Sequence, residues 1–201
     1  MRAAGVVLAA GLSRRMGGRD KVLVEVDGKP MVRRVVETAL RAGLDPVIVV
    51  VRRAGSGVRR ALEGLPVLYA RNDSPEAGLS SSLREGLRSL GAESQAAVVL
   101  LGDMPWVRPA DVAALVAAFD PAAGREICVP VYAGRRGNPV LWSARFFREM
   151  AGLEGDVGAR ALLSRHARSV HEVPAGGEGV LRDVDTPEAL LGASAGGGEH
   201  V

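Results

Sequence analysis

Residues 8–21, LAAGLSRRMGGRDK, set Gly11, Gly17 and Gly18, the adjacent arginines Arg14 and Arg15, and Lys21 directly behind an apolar run. Glycines let backbone N–H groups turn toward an oxyanion, arginine offers a forked donor and lysine a compact charge, so the segment is equipped to hold phosphates. Its spacing is neither GxGxxG nor GxxxxGK[ST], because Gly11 lies too far from Lys21 and Val22 follows the lysine. A dinucleotide fingerprint and a Walker loop both lose ground. The plain alternative is a glycine-rich turn with solvated arginines. The chain carries 24 Arg and only two Lys, Lys21 and Lys29, and a lysine in a chain that otherwise chooses arginine favours the functional reading.

Two acidic stretches lie far downstream. VVLLGDMPWV (98–107) ends an apolar run in Gly102-Asp103-Met104-Pro105, which predicts Asp103 at the carboxyl edge of a sheet, where open α/β sheets take their ligands. A carboxylate there suits Mg²⁺, which prefers hard oxygen ligands and shares them with substrate phosphates. Asp is equally at home as a turn residue before proline. In LRDVDTPEALL (181–191), Asp183 and Asp185 precede Thr186 as N-cap and Pro187 as first helical residue, and one of the two could simply turn the chain. The segment 72–87, NDSPEAGLSSSLREGL, reads as a polar loop followed by a helix whose apolar face is Leu79, Leu83, Leu87 and Leu90. Ser80, Ser81 and Ser82 leave N–H groups free for solvent, ligand or capping.

The elements that must position these groups follow from apolar periodicity. Short Val/Leu/Ala runs predict strands over 3–9, 46–51, 67–70, 96–101, 127–131 and 169–173. Helical periods predict helices over 30–42, 55–63, 79–90, 109–119, 144–150, 157–166 and 187–191. Alternation of this kind belongs to an α/β class, a three-layer α/β/α sandwich with a mostly parallel sheet. We expect one domain over 1–191 and a frayed glycine-rich tail over 192–201.

Composition narrows the function classes. With 201 residues, 47% hydrophobic, the chain has the apolar content of a globular protein. Aromatics are 3%, too few for stacking platforms that grip single-stranded nucleic acid. Lys plus Arg number 26 against 23 Asp plus Glu, giving +3 spread along the chain, without the clustered basic face that duplex binding calls for. Cys128 is the single cysteine, which excludes an internal disulfide and points to a reducing, cytoplasmic setting; inside an apolar strand it reads as a small hydrophobe. His166 and His171 have no partner at metal-ligand spacing. No apolar run approaches the roughly 20 residues of a membrane helix, and residues 3–12 read as a buried strand rather than a secretory signal.

LAAGxSxRMG followed by Lys21, with GDxP at 102–105 and DVDTPEAL at 183–190, resembles the signature of the nucleotidyltransferases that build the molybdenum cofactor dinucleotides, the cytidylyltransferases in particular, within the MobA-like NTP transferases. GNPVL (137–141) and GDVGAR (155–160) resemble two further segments of that family. The resemblance spans residues 5–191 with five motifs in order. It implies a Rossmann-like nucleotide-diphospho-sugar transferase fold, close to the glycosyltransferase-A type, and CMP transfer from CTP to molybdopterin-bound molybdenum with release of pyrophosphate and a requirement for Mg²⁺. It carries catalytic roles to Arg15, Lys21 and Asp103, and metal binding to Asp103 and Asp185 with Asp183 in reserve. Nucleotide contacts go to Leu8, Ala9, Ala10, Gly11, Ser13, Asn72, Gly78, Ser80 and Ser81. Acceptor contacts go to Arg136, Asn138 and Arg160, and Arg135 could join that clamp. Asn138 departs from the pattern, standing where the cytidylyltransferases often carry His; it offers hydrogen bonds but cannot transfer a proton as His does. The implied partners are a nucleoside triphosphate, the molybdopterin acceptor, and a molybdoenzyme or its chaperone that receives the product. GMP transfer from GTP is the rival reaction, and a non-catalytic nucleotide or cofactor-binding chaperone is the alternative from another class.

Overall fold

Successive side chains of a strand point to opposite faces, and in a chain whose strands are apolar at every position both faces must be covered. The computed structural model describes residues 2–12, 20–53, 55–155 and 159–184. In chain order the strands are β1 (Ala4–Leu8), β2 (Glu25–Val26), β3 (Lys29–Pro30), β4 (Val47–Arg52), β5 (Leu68–Asn72), β6 (Ala96–Leu101), β7 (Ile127–Tyr132), β8 (Arg135–Arg136), β9 (Val140–Ser143) and β10 (Val170–Pro174). The helices are α1 (Met31–Arg41), α2 (Ser56–Ala61), α3 (Leu79–Arg88), α4 (Pro109–Ala118), α5 (Phe147–Ala151) and α6 (Arg160–Arg165).

The main sheet runs β10-β7-β9-β6-β1-β4-β5, with β8 paired to β7, while β2 and β3 form a separate hairpin. β1 lies parallel to both β4 and β6, and β5 and β10 continue the parallel set; β9 runs antiparallel between β6 and β7. Val7, Val47, Val49, Val51, Val98 and Leu100 pack with α1, α2 and α4 on one face. Val6, Leu8, Ile48, Val50 and Val99 pack with α3, α5 and α6 on the other. The result is a three-layer α/β/α sandwich.

The chain builds outward from β1 through β4 to β5, then returns to place β6 on the opposite side of β1. That reversal makes the β1/β6 junction the switch point, where a crevice opens outside the carboxyl ends of the strands. All six expected strands are present, each within one or two residues of its expected bounds. The strand β9 and the hairpin β2–β3 were not expected. Each is only two to four residues long, too short for a period of two to register. The helix expected over 157–166 is the shorter α6, and that expected over 144–150 opens with a 3-10 turn at Ala144–Phe146. The helix expected over 187–191 and the tail lie outside the described residues.

Candidate functional site

The site begins where β1 ends. The Leu8 carbonyl accepts the Gly102 N–H at 3.0 Å and Ala9 N–H donates to Val50 at 3.0 Å, so both neighbours of β1 follow it to its last residue. A Cβ on Gly102 would come within 3.0 Å of the Leu8 carbonyl and 3.2 Å of Val22; glycine lets β6 and the returning turn approach β1 this closely. Gly11 then lies exposed past the edge, and Ser13 and Arg15 lie outside the described residues. The chain re-enters at Asp20, followed by a 3-10 turn at Lys21–Leu23.

Two ion pairs fasten that re-entry. Lys21 Nζ donates to Asp103 Oδ2 at 2.8 Å across 82 residues of sequence, with only 13% and 24% of the two side chains exposed. The neighbouring Asp20 pairs with Arg52, the last residue of β4. Since β6 and β4 flank β1, the adjacent residues Asp20 and Lys21 reach to opposite sides of its carboxyl end. Expelling water from around such pairs strengthens them relative to exposed ones.

The Asp103 loop has further supports. Its backbone carbonyl accepts the Val184 N–H at 3.0 Å. Val184, Val26 and Met31 form a small third core with Val24 and Trp106 packed against it, so segments remote in sequence meet beneath the acid. Asp183 is exposed and Asp185 lies just outside the described residues. Among the described residues no three His, Cys, Asp or Glu side chains cluster as a metal cage. The donor set fits Mg²⁺ nonetheless, since this ion takes one or two protein carboxylates and fills its remaining positions with water and phosphate oxygens: Asp103 presents hard oxygens beside Lys21 at the sheet edge.

The middle segment is organised by its own hydrogen bonds. Asn72, 1% exposed, donates through Nδ2 to Ser81 Oγ at 2.8 Å and Ser82 Oγ at 3.0 Å, and accepts Ser74 N–H at 2.9 Å. Ser81 Oγ donates in turn to the Gly78 carbonyl at 2.7 Å. Gly78, with φ of 91°, takes a conformation in which a side chain would be strained. Asn72 and Ser81 thus shape the loop that leads into α3, and Ser80 is buried there as well.

The residues expected at the acceptor share one cleft. Arg136, Asn138 and Arg160 line a cavity of about 250 Å³ whose remaining walls are chiefly apolar, among them Leu8, Leu83, Leu101, Trp142 and Leu163. Leu8 and Leu101 are the last residues of β1 and β6, so the cleft opens on the same sheet edge as Asp103. Arg136 donates to Glu172 at 2.7 Å, whereas the side chains of Asn138 and Arg160 have no partner among the described residues. An apolar cleft with a few convergent polar groups is the usual form of a small-molecule site.

The remaining candidates are structural. His166 Nε2 sits 2.7 Å from Glu149 Oε2 and its ring packs on Phe146 at 4.9 Å. Burial pushes the Cys128 thiol up to about 11, offset only in part by Arg125, so it stays protonated and unreactive near neutrality. Asp20, Arg52 and Trp106 were not singled out from sequence. The pairing of Asp20 with Arg52 has no short-range signal, while Trp106, one of two tryptophans and next to GDMP, was the legible one.

Comparison with known proteins decides the family. Residues 5–170 match the MobA-like NTP transferase domain. The chain belongs to the MobA-like NTP transferase family. It is 35% identical over 200 residues to the purine catabolism protein PucB of Bacillus subtilis, covering 92% of each chain. It is 32% identical over 200 residues to the molybdenum cofactor guanylyltransferase of Cereibacter sphaeroides, covering 97% of each. Among solved structures, Rv0371c of Mycobacterium tuberculosis superposes with a TM-score of 0.80 at 32% identity, covering 96% of this chain and 98% of that one. As a MobA-like NTP transferase the protein is a nucleotidyltransferase, and the β1/β6 edge is its candidate active site.

Proposed function

We propose that the protein transfers CMP from CTP to the terminal phosphate of a molybdopterin-type acceptor and releases pyrophosphate. The observation that carries this reading is the Lys21–Asp103 pair at 2.8 Å on the switch-point edge. It joins a phosphate-binding cation to a metal-binding anion, the two groups a triphosphate with its metal requires. In the reaction an acceptor phosphate oxygen forms a bond to the α-phosphorus while the bond from that phosphorus to the bridging oxygen breaks, and the pyrophosphate leaves with that oxygen. No covalent bond to the protein is needed. Lys21 holds the α-phosphate region and Arg15 the departing phosphates, so charge is met where it develops. Asp103 and Asp185 would hold Mg²⁺, which when bound supplies Lewis-acid neutralisation of the leaving group. A divalent ion is consistent with Rv0371c, which has also been solved in complex with manganese.

The cleft supports the acceptor assignment. Asn138 and Arg160 offer an amide and a guanidinium to a heterocycle and a phosphate against apolar walls. Cytidine is favoured by the LAAG and GLSSSL segments, which are more similar to cytidine users. GTP is the second reading, favoured by the guanylyltransferase from Cereibacter sphaeroides. The test is pyrophosphate release from CTP, GTP, ATP and UTP with Mg²⁺, with and without isolated molybdenum cofactor. Cofactor-dependent release from CTP alone is expected; release from GTP alone turns the assignment to guanylyl transfer. Tight nucleotide binding with no release from any of the four identifies a carrier rather than an enzyme and defeats the proposal.

A further inference from the structure

Residues 175–184 cross the molecule after β10, and their contacts fall on both halves of the site. At the near end Ala175 N–H donates to Val131 at 2.9 Å, and Gly176 N–H donates to the buried Asp111 at 2.9 Å. In the middle the Val180 carbonyl accepts the Asn138 N–H at 2.8 Å. A Cβ on Gly137 would run into that same carbonyl. One residue earlier, a Cβ on Gly179 would run into the Trp106 carbonyl oxygen. Arg182 then stacks over the Trp106 ring at 4.3 Å, and Val184 N–H closes on the Asp103 carbonyl. Val180 and Val184 are both fully buried, so the segment is seated rather than draped.

We propose that residues 176–184 are a strap that sets the distance between the acceptor cleft and the metal site, with Gly179 and Trp106 as its positioning residues. Val180 fixes the backbone of Asn138 on one side. Trp106 and Asp103 receive the strap on the other, and the residue that follows Val184 in the chain is the second metal candidate, Asp185. At Gly179, as at Gly137, backbone meets backbone, so an added side chain would find no flexible neighbour to displace. In-line transfer depends on the attacking oxygen and the α-phosphorus being held within a narrow range of separation and angle. A strap that moved with respect to Trp106 would misalign both while leaving the two large cores of the sheet in place. The inference rests on the acceptor and metal assignments above.

Gly179→Ala tests it. Expected are a roughly 10- to 100-fold loss in kcat, the scale of a misplacement of about 1 Å, with the KM for CTP little changed and the half-saturating Mg²⁺ raised. Mn²⁺ binding in the presence of CTP, followed by electron paramagnetic resonance, gives a readout independent of turnover and should weaken in parallel. Trp106→Phe keeps a ring beneath Arg182 and should stay near wild type, whereas Trp106→Leu keeps apolar volume without the ring and should repeat the Gly179→Ala pattern; this pair decides the matter if Gly179→Ala does not fold. Wild-type kcat and Mn²⁺ affinity in folded Gly179→Ala, or equal behaviour of the two Trp106 variants, would overturn the strap. Wild-type protein that binds Mn²⁺ with CTP but releases no pyrophosphate would defeat the functional reading instead, and the Mn²⁺ comparison would still judge the strap.

Discussion

The proposed nucleotide edge and the proposed acceptor cleft share the ends of β1 and β6 but are built differently. At the proposed nucleotide edge Arg52 ends β4 and Asp103 lies two residues past β6, and each is neutralised by a neighbour in the chain's re-entry, Arg52 by Asp20 and Asp103 by Lys21. In the cleft, Arg136, Asn138 and Arg160 come from β8, the loop before β9 and the start of α6, and the side chains of the last two have no partner among the described residues. Paired charges define a place for a ligand that brings its own charges and metal, because the pair is exchanged for phosphate and cation. Polar donors set into an apolar wall suit a ligand that brings its own acceptors. On the proposed function, one region serves the chemistry common to all NTP transfer and the other the identity of the acceptor.

That contrast breaks most sharply at Asp103. Asp103→Ala should cut kcat by about 10³-fold or more, since a metal acting as Lewis acid supplies several kcal/mol, with an unchanged far-UV circular dichroism spectrum; full activity at saturating Mg²⁺ would remove the acid from the mechanism. Lys21→Met should lower kcat/KM for the nucleotide by about 10²-fold, the scale of losing one charge-stabilising donor, and leave acceptor binding alone. On the other side of the comparison, Arg160→Ala should raise the acceptor KM by roughly tenfold, as expected for one charged hydrogen bond, with the nucleotide KM constant. If steady-state kinetics showed both constants rising together in either variant, the two regions would not be separable.

The smallest effect concerns the strap's near end. Burial raises the Asp111 carboxyl, but hydrogen bonds from Arg108 and the Gly176 N–H outweigh it and hold the group below its ordinary value. A depressed carboxylate stabilises the fold above its unfolded pKa of about 4 and loses that contribution as pH falls through the folded value. The melting temperature should therefore fall below about pH 4, and Asp111→Asn should flatten that part of the profile; an identical slope in the variant would assign the acid lability to other carboxylates.

Legibility divides along the same line as chemistry. β1 and β6 were readable because each is an unbroken apolar run, and Asp103 was readable because GDMP ends such a run at the edge where parallel sheets bind ligands. The cleft residues were nameable only through the resemblance. Nothing in the spacing of Arg136, Asn138 and Arg160 brings them together, since β9, which carries the wall of the cleft, is four residues long. Asn72 and Ser81 were expected against the nucleoside; their side chains bond to one another and to Ser82, Ser74 and Gly78, a network among positions up to ten apart that a linear motif does not disclose.

Sequence alone determined the three-layer class, the placement of Asp103 at the carboxyl edge of the sheet and the residue types suited to a triphosphate, because these depend on period, punctuation and charge within short windows. Tertiary structure alone decided that Asp20 and Lys21 straddle β1, that Arg136, Asn138 and Arg160 share a cleft, and that the chain from 176 to 184 touches both that cleft and the Asp103 loop. Those relations are contacts across tens of residues, and they follow from which strand lies beside which and how closely glycine lets one backbone approach another.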